Sequence, residues 1–116
     1  LVRPRLLYSG EQDGPMLPVS DKNLDLIRKG LNYVVKRGTG RRAGSFGITV
    51  AGKTGTAQNA HGPDHALFAG YAPIDGPKYA AVAVIEAGLH GSSVASPMVG
   101  EILSYLLVPE ARGKVQ

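Results

Sequence analysis

The segment Phe46–Gln58 constrains the fold most, because its residue types favour a β-strand over any other element. Residues 48–50 (I-T-V) are β-branched and apolar, which is typical of strands. The segment is followed over residues 59–63 by Asn, Gly and Pro, which end regular structure. The sequence therefore predicts a strand over about 46–58 that ends in a turn.

The same segment also spells G-x-x-x-x-G-K-T from Gly47 to Thr54, the pattern of a phosphate-binding loop. That motif requires an apolar strand before its first glycine and a helix that begins at the Lys-Thr pair. Residues 41–46 (R-R-A-G-S-F) form no apolar strand, and residues 55–63 contain helix breakers. The order loop, strand, loop argues against a P-loop nucleotide-binding protein, which stays a remote alternative.

Composition describes one globular domain or a part of one. The chain has 116 residues, 43% hydrophobic residues and no cysteine, and its mean hydropathy is −0.03, so disulfides and thiolate metal sites are excluded. The net charge is +4, but the basic residues are dispersed and aromatics make up only 6%, so we expect no nucleic-acid partner. The chain begins without methionine, and we expect it to be a piece of a longer protein.

Two helices are predicted. Apolar residues recur at helical spacing over about 21–37, with Ser20 as a candidate N-cap and Gly38 as the C-terminal stop. The interior Gly30 predicts a close packing neighbour, because glycine otherwise weakens a helix. The second helix is expected over about 97–107, with Ser96 as its cap and a proline at its first position.

Two further strands are predicted between these helices, over about 66–74 and 79–87. The turn Asp75–Lys78 (D-G-P-K) joins them, so they should form an antiparallel hairpin. The short link over 59–65 makes the 46–58 strand their antiparallel neighbour. An apolar segment at 5–8 precedes these elements. The predicted fold class is α+β, an antiparallel β-sheet flanked by helices.

Five ordered pieces of the chain carry a resemblance to one family. Residues 48–58 (I-T-V-A-G-K-T-G-T-A-Q) resemble the K-T-G strand of class B penicillin-binding proteins. Residues 34–40, 69–73, 82–86 and 96–103 resemble, in the family's order, a helix end, two strands and the closing helix. The chain thus resembles the C-terminal part of an elongation-type transpeptidase domain, with a penicillin-binding-protein/β-lactamase-like fold.

The resemblance implies a reaction and a role for the K-T-G strand. These enzymes are peptidoglycan D,D-transpeptidases, in which an active-site serine takes the acyl group of a D-Ala-D-Ala stem peptide and passes it to an amine; β-lactams acylate the same serine. Lys53, Thr54, Gly55 and Thr56 would bind the substrate. Lys53 and the hydroxyls of Thr54 and Thr56 would contact its terminal carboxylate, and Gly55 would leave room for the peptide to approach the backbone. Lys53 would also act on the nucleophile's electrostatics. The Thr56 backbone N–H would be one of two oxyanion-hole donors. No metal or cofactor is implied.

The family's other two motifs, S-x-x-K and S-x-N, are absent from this sequence. The nucleophilic serine is therefore not in this chain, and the chain alone should be inactive. We expect it to be stable only with the remainder of the transpeptidase domain, whose strands would pair beside residues 79–87. The full protein would lie in the bacterial inner membrane with this domain on the periplasmic side, beside a glycan polymerase and an elongation scaffold that maintain cell shape.

Other interpretations stay open at this point. A D,D-carboxypeptidase, a β-lactamase or a β-lactam sensor would have the same cleft. His61 and His65 are four residues apart, but Gly62 and Pro63 separate them, so exposed loop histidines are favoured over a zinc site.

Overall fold

The computed structural model describes residues 16–108. In chain order these residues form α1 (Asp21–Arg37), a 3₁₀ helix η1 (Arg41–Phe46), β1 (Ala51–Ala57), β2 (His65–Ala72), β3 (Tyr79–Ile85) and α2 (Ala95–Leu107). The apolar segment predicted at residues 5–8 lies outside the described residues. None of the helices within 16–108 has the length and apolar character needed to cross a membrane.

Helix α1 begins and ends where the sequence predicts. The Ser20 side chain accepts a hydrogen bond from the backbone N–H of Asn23 at 3.4 Å, and Gly38 is the C-cap. The prediction for Gly30 is wrong. A Cβ built on this glycine would meet nothing within 4 Å, so no described residue packs against it.

The three strands form one antiparallel sheet in the order β1-β2-β3. Lys53 pairs with Ala69, and Ala69 with Val82 in the next strand. The meander predicted from the short links is confirmed, and the α+β fold class with it. Within residues 16–108 both β1 and β3 are edge strands.

The helices cover one face of this sheet. Side chains alternate between faces along a strand, and the face that contains Phe68, Ala72 and Ala83 packs with Val99 and Leu103 of α2 in the buried core. On the opposite face Val82 and Val84 are 67% and 57% exposed. The described residues therefore enclose a core on one side of the sheet and leave the other side open.

The predicted strand over 46–58 is wrong at its N-terminal end. Residues 41–46 form η1, Gly47 has a left-handed φ of 73°, and β1 begins only at Ala51. Val50 is buried at 2% exposure although it lies outside the strand. Ile48 and Val50 therefore pack against the core in the approach to β1, whereas Thr49 is exposed and its hydroxyl accepts from the N–H of Ile74 at 3.2 Å.

The predicted start of the second helix is also wrong. Helix α2 begins at Ala95, its N-cap is Val94, and no side chain caps it. The Ser96 hydroxyl is buried and bridges two backbone groups: it donates to the carbonyl oxygen of Gly40 at 3.1 Å and accepts from the N–H of Ala43 at 3.0 Å. Ser96 thus joins α2 to η1 instead of capping its own helix.

Candidate functional site at the edge of β1

The four predicted site residues lie in sequence along β1, but they are divided between its two faces. Thr54 pairs with Phe68 and Thr56 with Ala66, so both threonines belong to the helix-covered face. Lys53 and Gly55 belong to the open face. A single ligand can contact all four only at the free edge of the strand, where the two faces meet.

Hydrogen bonding indicates which backbone groups of β1 point to that edge. The Lys53 ammonium, which is exposed, donates to the carbonyl oxygen of Thr54 at 2.8 Å. Because a carbonyl that is paired with β2 would be less accessible to this donor, we infer that the Thr54 carbonyl points away from β2, to the free edge of β1. Residues two apart in an antiparallel strand turn their backbone groups to the same side, so the Thr56 N–H points to the same free edge.

The Thr54 hydroxyl has a partner that the sequence did not predict. The Oγ1 atoms of Thr39 and Thr54 are 2.6 Å apart, so one of the two hydroxyls donates to the other. Thr39 lies in the turn between α1 and η1, 15 residues from Thr54. If Thr39 donates, the proton of Thr54 is available for a ligand at the edge of β1.

Two glycines hold Thr39 in this position. The N–H groups of Gly38 and Gly40 both donate to the carbonyl oxygen of Val34, at 3.1 and 3.0 Å. A Cβ on Gly40 would lie 2.9 Å from the Phe68 ring and 3.1 Å from a Val34 methyl. Only a glycine lets the turn come this close to the sheet, and the Thr39 side chain is thereby brought to β1.

The loop between β3 and α2 closes over the end of β1. A Cβ on Gly91 would lie 2.2 Å from the carbonyl oxygen of Leu67 and 2.8 Å from that of Gly55, so the loop backbone contacts both strands. The loop is further fixed by Arg42, whose Nη1 donates to the carbonyl oxygen of Ser93 at 2.9 Å. These contacts place residues 88–94 beside the K-T-G strand.

A hollow of about 530 Å³ lies between the α1–η1 turn and this loop. It is lined by arginines, hydroxyl groups and a glycine, among them Thr39, Arg41, Arg42, Ser45, Ser92 and Ser93. Thr39 therefore lines the hollow and also contacts Thr54. The sequence alone singled out neither Thr39 nor the two arginines as site residues.

The structure rejects the phosphate-loop interpretation of residues 47–54. Gly52, Lys53 and Thr54 lie inside β1, which continues to Ala57, so no helix begins at the Lys-Thr pair as that motif requires. The prediction of exposed loop histidines holds for His61 but is wrong for His65, which is half-buried at the first position of β2. His65 Nδ1 accepts from the N–H of Ala87 at 3.1 Å, and residues 16–108 contain no group of three potential metal ligands.

The sequence matches the family model of the penicillin-binding protein transpeptidase domain over residues 1–104. The chain belongs to this family. The resemblance to the C-terminal part of a class B, elongation-type domain is confirmed by the relatives described next.

Two curated relatives illustrate the match. The chain is 37% identical over 101 residues to the peptidoglycan D,D-transpeptidase MrdA of Haemophilus influenzae, covering 72% of this chain and 16% of that protein. It is 38% identical over 95 residues to the stage V sporulation protein D of Bacillus subtilis, covering 73% of this chain and 15% of that protein. The chain thus spans about a sixth of the length of these relatives.

Solved structures agree with the sequence comparison. Pseudomonas aeruginosa PBP2, determined in complex with WCK 5153, superposes with a TM-score of 0.74 at 36% identity and covers 86% of this chain and 23% of that one. Helicobacter pylori PBP2 in complex with MreC gives a TM-score of 0.66 at 31% identity, with coverage of 80% and 18%. The predicted transpeptidase fold is confirmed.

Proposed function

We propose that this chain is the K-T-G portion of a serine-type peptidoglycan D,D-transpeptidase. The proposal rests on one observation above all. In a chain of the transpeptidase family, the sequence K-T-G-T occupies an edge strand whose free margin carries the Lys53 side chain and the Thr56 N–H. Named relatives of this chain are peptidoglycan D,D-transpeptidases.

At this margin the substrate's terminal carboxylate would be bound by charge and by hydroxyl donors. Lys53 supplies a compact cation, and the hydroxyls of Thr54 and Thr56 can donate to carboxylate oxygens. Lys53 is exposed, and its present partner is a backbone carbonyl, which an anionic ligand can replace at little cost. Thr39 would position the hydroxyl of Thr54 through the hydrogen bond that joins their two Oγ1 atoms.

The acyl transfer itself would use a serine outside this chain. Its Oγ attacks the carbonyl carbon of the penultimate D-alanine, an ester forms, and the terminal D-alanine leaves with a proton. An amine of a neighbouring stem peptide then attacks the ester and returns the serine hydroxyl. The Thr56 N–H would stabilise the negative oxygen that forms in each step. Loss of such a donor typically costs about 100- to 1000-fold in kcat.

We propose the wider setting by analogy with the family. The remainder of the domain would supply the serine and cover the open sheet face. The complete protein would be anchored in the bacterial inner membrane with this domain on the periplasmic side. A glycan polymerase and an elongation scaffold are proposed as partners; the scaffold is supported by the similarity to H. pylori PBP2, which has been solved with MreC.

Product analysis of the full-length protein tests the proposed reaction. Stem peptides that end in D-Ala-D-Ala should give cross-linked dimers with release of D-alanine, and a β-lactam should abolish both products. Release of D-alanine without dimers, in the presence of an acceptor amine, would identify a D,D-carboxypeptidase. Hydrolysis of the β-lactam itself would identify a β-lactamase. Acylation by the β-lactam with neither peptide product would identify a sensor.

A further inference from the structure

We propose that the hollow beside Thr39 is an anion-binding subsite for a second carboxylate of the peptide substrate, one that lies away from its C-terminus. This inference rests on the proposed function, because the second carboxylate would belong to the same peptide that the transpeptidase binds at the K-T-G strand. The two arginines Arg41 and Arg42 are its recognition elements.

The two arginines have different roles. Arg42 donates through Nη1 to the carbonyl oxygen of Ser93, which fixes its guanidinium against the β3–α2 loop and leaves further N–H donors for a ligand. Arg41 is exposed and, within residues 16–108, makes no hydrogen bond or ion pair. Two guanidiniums that line one hollow and keep free N–H donors are suited to binding an oxyanion.

The stretch of chain that contains Arg41 and Arg42 is rich in positive charge. No acidic residue occurs between Asp25 and Asp64. In the same stretch stand seven basic residues, Arg28, Lys29, Lys36, Arg37, Arg41, Arg42 and Lys53. The single ion pair between side chains of the described residues, Arg28 with Asp25 at 3.4 Å, lies elsewhere on α1. Within the described residues neither Arg41 nor Arg42 pairs with a carboxylate, so the positive charge of both is available to a ligand.

The lining favours an oxyanion over an apolar group. Besides the arginines, the hydroxyls of Ser45, Ser92 and Ser93 line the hollow, and hydroxyls can donate to oxyanions. The Ser93 hydroxyl now donates to the carbonyl oxygen of His90 at 2.9 Å, but hydroxyls rotate readily to a new acceptor. The size, about 530 Å³, accommodates a carboxylate with part of the peptide that carries it.

The position of the hollow connects it to the K-T-G strand. Thr39 contributes to its wall and is 2.6 Å from Thr54 through the two hydroxyls. A peptide whose terminal carboxylate lies against Thr54 and Lys53 would therefore lie next to the wall of the hollow. A donor peptide that carries a second carboxylate would contact both the strand and the hollow.

The test compares two peptides on the full-length protein. Both end in D-Ala-D-Ala; one has a free interior carboxylate and the other has that group amidated. For the native protein, kcat/KM for D-alanine release should be about tenfold higher with the free carboxylate, which corresponds to ~1.4 kcal/mol. The variant Arg41→Gln should lose this preference while its rate with the amidated peptide changes less than about twofold. Arg41→Lys should keep part of it.

Lys22→Gln is the matched control. It removes one positive charge from the same helix-turn region, but Lys22 lies about 24 Å from Gly38 along α1 at ~1.5 Å per residue. It should leave the preference intact. Loss of the preference in both variants would show a general effect of positive charge and would overturn the subsite. An equal decrease of kcat/KM for both peptides in Arg41→Gln would overturn it as well.

Direct binding separates this inference from the proposed reaction. Fluorescence anisotropy of the two labelled peptides should show tighter binding of the free carboxylate to the native protein, decreasing with added salt and absent in Arg41→Gln. If the protein shows that preference but no turnover and no penicillin adduct, the subsite stands and the transpeptidase proposal fails. Equal binding of the two peptides by the native protein overturns the subsite whatever the turnover.

Discussion

Thr39 has no role that the sequence predicts, but in the structure it is the hydrogen-bond partner of the K-T-G residue Thr54. Its hydroxyl lies 2.6 Å from that of Thr54, and its position depends on the flanking glycines. The variant Thr39→Val keeps the side-chain shape and removes this hydrogen bond. We expect the second-order rate constant for penicillin acylation of the full-length protein to fall about tenfold, since one hydrogen bond at such a site contributes ~1–1.5 kcal/mol.

Thr39→Ser is the control for that variant, because it restores a hydroxyl without the methyl group, and it should recover most of the rate. Thermal unfolding of both variants should differ little from that of the native protein. If Thr39→Val acylates at the native rate, or if Thr39→Ser is as slow as Thr39→Val, the hydroxyl of Thr39 does not orient Thr54.

The limits of sequence reasoning are clearest at residues like these. The K-T-G stretch is a local pattern, so Lys53 to Thr56 could be named without coordinates. The Thr39–Thr54 hydrogen bond joins residues 15 positions apart and exists only because the turn packs onto Phe68. A threonine between two glycines after a helix was the available signal, and by itself it predicts a turn but no partner.

At the level of elements, prediction succeeded where the signal was local. The apolar stripe, the Ser20 cap and Gly38 determine α1, and the Asp75–Lys78 turn determines the β2–β3 hairpin. Prediction failed where a side chain had a distant use. Ser96 resembles an N-cap, yet its hydroxyl contacts Gly40 and Ala43, 56 and 53 residues away, and α2 begins one residue before it.

The glycines of the two helices provide an element-scale prediction. Gly30 has open space around it, so Gly30→Ala should stabilise the full-length protein against urea by ~0.5–1 kcal/mol through helix propensity alone. Gly100 is the contrasting case, because a Cβ there would lie 2.4 Å from the carbonyl oxygen of Ala43. Gly100→Ala should therefore destabilise by about 1–3 kcal/mol through overpacking of α2 on η1.

The opposite outcome at Gly30 would be informative. A loss of stability in Gly30→Ala would mean that a part of the complete protein outside residues 16–108 packs against this face of α1. That result would restore the packing role expected from the sequence and contradict the assignment of Gly30 to an open surface.

At the scale of the whole molecule, the main feature is a sheet covered on one side only. Val82 and Val84 lie on the open face at 67% and 57% exposure, and β3 is an edge strand within the described residues. Exposed apolar side chains on a sheet face beside an unpaired edge are what a protein normally covers. We expect the remainder of the domain to cover both.

A charged residue introduced on the open face tests whether that face is covered in the complete protein, because a charge destabilises a protein much more when it is buried than when it is solvated. In the full-length protein Val82→Asp should lower the free energy of unfolding by about 2–4 kcal/mol, because a buried carboxylate without a partner is costly. Gln58→Asp, an exposed position just after β1, is the control and should change it by less than ~0.5 kcal/mol. Equal small effects of the two substitutions, measured by urea unfolding, would show that the face is solvated in the complete protein.

The central claim is that this chain binds the substrate's terminal carboxylate, whereas the serine that is acylated lies in another part of the protein. It is tested most directly by labelling the full-length protein with fluorescent penicillin and mapping the adduct by mass spectrometry. We predict an adduct on a serine outside residues 1–116, formed about 10- to 100-fold more slowly in Lys53→Ala, since a hydrogen bond from a charged group to the ligand's carboxylate contributes ~1.5–3 kcal/mol. An adduct on any serine of this chain, or labelling of Lys53→Ala at the native rate, would contradict the claim.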